Sequence, residues 1–82
     1  MNIDDISKLL NDKIPNDRTL KSKTIYGYSS PDMYVLEENG NHILMAYIDL
    51  SGTLQVVMDK VKTPFKDIDK AVGFMVSAIG CS

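Results

Sequence analysis

The stretch "EENGNHILMAYIDLSGT", residues 37–53, decides how this chain folds. Asn39-Gly40 is the strongest short hairpin signal, because a type I′ turn needs φ > 0 at both central residues. Ser51-Gly52 offers a second turn. Between them, Ile43 to Ile48 runs without a polar break. A strand with one wet face alternates apolar and polar residues, whereas a strand covered on both faces reads as a continuous apolar run. The run therefore asks what covers its second face.

Outward from this stretch the period stays near two. "KTIYGY" (23–28) and "MYVLEE" (33–38) are expected as strands around the turn "SSPD". "NHILMAYIDL" (41–50) and "TLQVVMDKV" (53–61) follow as the third and fourth. On the N-terminal side, "NIDDISKLLNDKIP" reads as a helix. Asn2 is its expected cap, Asp4 and Asp5 favour the positive end of the helix dipole, and Pro15 ends it. Ile3, Ile6, Leu9, Leu10 and Ile14 form its apolar stripe. "PNDRTLKSK" (15–23) is polar and reads as a loop.

The C-terminal "TPFKDIDKAVGFMVSAIGCS" reads as a second helix. Thr63-Pro64 is expected as its cap and first turn, with Phe65, Ile68, Val72, Met75, Val76 and Ile79 on one broad face. Gly80 is placed to end it in a left-handed conformation, and Gly73 is expected to mark close packing. The expectation is one α+β domain over residues 1–82: N-terminal helix, three- to four-stranded antiparallel meander sheet, C-terminal helix.

Bulk composition narrows the function classes. The chain has 82 residues, a hydrophobic fraction of 44% and a formal net charge of −2. The hydrophobic fraction suits a folded domain, and the acidic balance argues against non-specific binding to nucleic acid or anionic membrane. A lone cysteine, Cys81, has no partner for an internal disulfide and is read as a free thiol. With acidic rather than basic residues at the start and no long apolar run, the chain is expected in the cytoplasm, without membrane insertion.

Turn geometry sets the pairing, and pairing sets which side chains share a face. Two-residue turns would place Glu37 opposite His42, Val35 opposite Leu44 and Met33 opposite Ala46. Further along, Ala46 would face Val57, and Ile48 would face Gln55. Tyr28 and Tyr26 would then face Met33 and Val35. One face would hold Ile25, Tyr34, Leu36, Ile43, Met45, Tyr47, Leu54, Val56 and Met58, assigned to the core. The other would hold Tyr26, Tyr28, Met33, Val35, Leu44, Ala46, Ile48 and Val57, rimmed by Glu37, His42, Gln55 and Asp59. That mixture of Tyr, Met and aliphatics with a polar edge is the composition of a recognition surface. The alternative is that one helix closes each face.

Chemistry is hard to find. His42 is the only histidine; it reads either as a rim anchor for a partner or as a cross-strand pair with Glu37. A catalytic base needs a nucleophile or metal nearby, and none stands at a readable spacing. "DIDK" lacks calcium-loop spacing and "LSGT" lacks the glycine run and the lysine of a phosphate loop. No catalytic residue, metal site or cofactor is expected. Lys13, Arg18, Lys21 and Lys23 read as a solvated basic loop.

In outline, helix–strands–helix resembles the double-stranded RNA-binding domain. The loop "ENGNH" and the acid-bearing helix start "PFKDID" depart from that family's duplex-reading residues, so the resemblance is topological. Over its whole length, beginning "MNIDDISKLLNDKI" and centred on "NGNHILMAYIDLSG", the chain resembles the cytoplasmic antiholin accessory proteins of lysis inhibition in T-even-like phages. That resemblance implies a non-enzymatic regulator whose partner is the cytosolic N-terminal segment of a holin. The expected partner-binding residues, read from pairing alone, are Tyr26, Tyr28, Met33, Val35, Glu37, His42, Leu44, Ala46 and Ile48. A small nucleic-acid-binding module and a self-associating structural protein are the alternatives.

Overall fold

Two helices and five strands make up the chain in a computed structural model that describes residues 2–14, 19–29 and 31–80. The order is α1 (Ile3–Asn11), β1 (Leu20–Ile25), β2 (Met33–Glu38), β3 (Asn41–Ile48), β4 (Leu54–Met58), β5 (Val61–Phe65) and α2 (Ile68–Gly80). The strands form one antiparallel meander in sequence order. The fold is α+β, as expected, with one strand more. Pro15, Arg18 and Cys81, given roles above, lie outside the described residues.

Local chemistry explains α1. The Asn2 side chain accepts a hydrogen bond from Asp5 N–H at 3.0 Å, satisfying one of the donors that open every helix. Ile3, Ile6 and Leu10 are buried, while Leu9 lies at the margin of the stripe and is exposed. The Tyr34 hydroxyl donates to Asn11 Oδ1 at 2.9 Å, tying the end of α1 to the start of β2.

Both helices lie on the same face of the sheet. Ile3, Ile6 and Leu10 of α1 share one buried cluster with Ala71, Val72, Met75 and Ile79 of α2 and with Tyr34, Leu36, Leu44, Ala46, Leu54 and Val56. Phe65 at the end of β5 meets Phe74 of α2 with ring centroids 5.2 Å apart, which holds the second helix over the β4–β5 side. Among the described residues, no helix covers the opposite face.

Between β1 and β2 the expected pairing is wrong, since Ile25 and Lys23 rather than Tyr28 and Tyr26 stand opposite Met33 and Val35; between β2 and β3 the register departs from the expected one at one point. Glu37 pairs with His42, but Leu36 pairs with Leu44, leaving Ile43 as an extra residue in a β-bulge. One residue of slip exchanges the two faces of a strand. Leu44 and Ala46 therefore turn under the helices, 2% and 0% exposed, and Ile48 packs half-buried against the same cluster. Assigning these three to an outer surface was incorrect. Met45 and Tyr47, expected in the core, stand on the uncovered face, paired with Val35 and Met33. Ile25 joins them opposite Met33.

The Ser51-Gly52 turn is also longer than expected. Ile48 pairs with Leu54, so residues 49–53 form the loop. Asp49 organises it: its Oδ1 accepts from Ser51 N–H at 3.0 Å, from the Ser51 hydroxyl at 2.6 Å and from Thr53 N–H at 3.0 Å. This second offset cancels the first beyond β3, which is why Leu54, Val56 and Met58 lie on the helix side as expected.

Three further expectations change. β1 begins at Leu20, inside the segment read as a loop, because Leu20, Ser22 and Thr24 alternate inward with Lys21 and Lys23 outward. Thr63 and Pro64 belong to β5 rather than to a helix start; Asp59 and Lys60 adopt φ of 54° and 67°, closing a tight turn between β4 and β5. The last helix is instead opened by Asp67, whose Oδ1 accepts from Asp69 N–H at 2.9 Å. Gly80 is the final residue of α2 rather than a left-handed cap. Gly73 is exposed, and a methyl group added there would meet no atom within 4 Å.

Two substitutions test this arrangement. Leu44→Ala should cost about 2–4 kcal/mol in urea unfolding, since it hollows the core; an exposed Leu44 would cost far less. Gly73→Ala should stabilise by roughly 0.5–1 kcal/mol, because a helical site with room for a methyl group gains from the stiffer unfolded chain. A destabilised Gly73→Ala would mean that the helix backbone is packed closely after all.

The uncovered face of the sheet as a candidate functional site

The site is built from rows of residues that pair across strands. The central row is Lys23 on β1, Val35 on β2, Met45 on β3, Val57 on β4 and Lys62 on β5. Towards the β3–β4 loop runs Ile25, Met33, Tyr47, Gln55 and Pro64. Towards the other end stand Lys21, Glu37 and His42. An apolar stripe thus crosses the sheet, ending at the edges in Lys23 and Lys62 in the central row and in Ile25 and Pro64 in the next.

Burial separates the stripe into floor and walls. Val35 is only 1% exposed yet is absent from the cluster beneath the helices. Its neighbours on the open face shield it. Met33, Met45, Tyr47 and Val57 are half-buried, and Ile25 is 47% exposed. A shallow depression at the His42 end is lined by His42, Ile43, Met45, Val57, Met58, Asp59 and Lys60.

Polar residues frame it. Glu37 accepts from Lys23 Nζ at 2.8 Å and stands 3.3 Å from His42 Nε2. The Lys23 ammonium is the main reason the Glu37 carboxyl lies below the usual range for its type, with His42 contributing less. At the other end, Lys62 Nζ sits 5.6 Å from the centre of the Tyr47 ring, a cation held over an aromatic face. Gln55 is fixed by donating to Asp49 Oδ2 at 2.9 Å.

Of the residues expected at a partner surface, Met33, Val35, Glu37 and His42 come together on this face. Leu44, Ala46 and Ile48 do not, for the reason of register above. Tyr26 and Tyr28 follow β1 in the connection to β2 and are exposed. Tyr26 reaches the helix layer, where its hydroxyl donates to Asp4 Oδ1 at 2.7 Å. Sequence reasoning missed Met45, Tyr47 and Ile25 as surface residues, and it missed Lys21, Lys23 and Lys62 as their frame. The bulge leaves no signal in composition, so Met45 and Tyr47 could be found only from pairing; Ile25 faces outward because it, rather than Tyr28, stands opposite Met33. The alternation of "LKSKTI" could have revealed the second.

Among the described residues, no group of three His, Cys, Asp or Glu side chains converges as a metal site. No helix among them is long and apolar enough to cross a membrane. Compared with protein-family models, curated proteins and solved structures, the chain matches none. The site is therefore argued from its own geometry.

The Asp49 bonds that fix Gln55 and the β3–β4 loop carry a pH dependence. Hydrogen bonds from Ser51, Gln55 and Thr53 lower its carboxyl from the ordinary 3.8 to about 2. A folded-state value below the unfolded one adds stability that is complete above the unfolded value and is lost as pH falls through the folded value. The stability difference between the wild type and Asp49→Asn should therefore shrink between about pH 4 and pH 2. An Asp49 carboxyl titrating near 4 by NMR would contradict this.

Proposed function

We propose that the chain is a non-enzymatic regulator that works by holding another protein on the uncovered sheet face. The observation that carries this reading is the apolar stripe of Ile25, Met33, Val35, Met45, Tyr47 and Val57, which no helix among the described residues covers. A sheet face of that composition is costly to leave in water and suits a recognition surface, where Met and Tyr supply adaptable and amphipathic contact. Catalysis does not enter, since His42 and Glu37 stand together on an open surface with no nucleophile beside them among the described residues.

The whole-chain resemblance to cytoplasmic antiholin accessory proteins gives the partner its identity in this reading: the cytosolic N-terminal segment of a phage holin. Binding one assembly state of a holin more tightly than another shifts the balance between them by the differential affinity alone, which suffices to delay lysis. Host cytoplasm is the compartment this requires.

The test is co-expression with the holin's cytosolic segment, followed by capture of the complex. Met45→Asp should leave the fold intact and reduce affinity by at least about tenfold, as expected for a charge placed in the centre of an apolar contact. Leu44→Asp should instead unfold the protein. Undiminished capture by a folded Met45→Asp variant would remove the face from the reading.

A further inference from the structure

Resting on the proposal that this face holds a protein, a second question is what chemistry the guest must carry. Two observations narrow it. Around the apolar stripe stand Lys21, Lys23, Lys60 and Lys62 against Glu37, Asp49 and Asp59, a surplus of one positive charge. The chain as a whole has a formal net charge of −2. The sign of the frame is therefore opposite to that of the molecule. Stacking two copies through this face would bring the two positive frames together, so self-association is opposed where charge complementarity is most needed.

The second observation concerns the sheet's edges. Adding a strand to a sheet requires an edge with available backbone groups. Here β1 carries Lys21 and Lys23, and the short β5 contains Pro64, which has no N–H to donate. Both are devices that discourage strand addition. A guest is directed to the face. Five strands about 4.8 Å apart span roughly 19 Å, the length of about 13 residues of helix. Laying an apolar helix stripe on an uncovered sheet face is also the ordinary way such a layer is completed.

We infer that the uncovered face takes a short amphipathic helix with an apolar stripe flanked by carboxylates, lying across the strands between the lysines of β1 and β5. The apolar residues of the guest cover Met33, Met45 and Val57. Its carboxylates meet Lys21 and Lys62. The guest thereby becomes the third layer of a helix–sheet–helix sandwich. His42, beside Glu37, lies at one end of the footprint.

The experiment uses the full chain with its methionine methyl groups isotopically labelled and read by NMR. The probe is a synthetic helical peptide of about 14 residues, long enough to cross the sheet, with leucines on one face and glutamates along both flanks. A twin peptide carries lysines in place of the glutamates. The glutamate peptide should shift the Met33 and Met45 signals and leave Met75, buried on the inner side of α2, unmoved. Its affinity should exceed that of the lysine twin by about tenfold at low salt, with the gap closing near 0.5 M NaCl. Joint Lys21→Glu and Lys62→Glu substitution should reverse the preference between the two peptides.

Equal affinity for both peptides, or shifts confined to Met75, would overturn the inference. So would an absence of any shift at Met33 and Met45. Concentration-dependent movement of those signals without peptide would overturn it in favour of a second copy of the chain. The outcomes also separate the two proposals. A glutamate peptide that binds while the holin segment does not removes the holin and keeps the face; a holin segment that binds regardless of the lysines removes the charge requirement alone.

Discussion

The extra residue at Ile43 is the constraint on which the rest of this molecule depends. Without it, β3 would present Met45 and Tyr47 to the helices and turn Leu44 and Ala46 outward. With it, Tyr34 lies beside Ala46, a large side chain against a small one, and close packing can be satisfied. Tyr34 is fully buried apart from the partner its hydroxyl needs, which Asn11 supplies from α1. Burial pushes its phenol above the usual range, so it stays neutral under the helix. A single bulge thus sets the core, the seat of the first helix and the composition of the opposite face.

That opposite face reconciles two demands. Under the proposed function it must stand in water when empty and remain apolar enough to hold a partner. Lys23 pairs directly across from Val35, and a lysine stem can cover apolar surface while its ammonium stays wet. Lys62 does the same over Tyr47. Methionines at two positions along the stripe add side chains that repack at low cost. The frame that keeps the face soluble is also what gives it a preferred sign of charge.

Much of the architecture was legible in the residues. Asn2 with its acidic first turn, the apolar stripe of Ile3, Ile6 and Leu10, and the Asn39-Gly40 turn are local signals, and each appears where local physics puts it. Glu37 opposite His42 followed from the turn alone. The fifth strand was missed because Asp59 and Lys60 take positive φ without glycine, and because Thr63-Pro64 is also a good opening for a helix. Proline on an edge strand costs no ladder bond that the sheet requires, so tertiary position overrode the local preference.

By itself, the sequence determined an α+β meander between two helices and an apolar third strand too greasy for one wet face. Its local rules act over three or four residues, and turns, caps and periodicity lie within that reach. Which side of β3 meets the helices was decided only in three dimensions. A bulge is chosen by the packing it permits far away in the chain: Tyr34 against Ala46 and α1, Leu36 against Leu44. Because side chains alternate with a period of two, that one-residue choice turned Leu44, Ala46 and Ile48 inward and Met45 and Tyr47 outward.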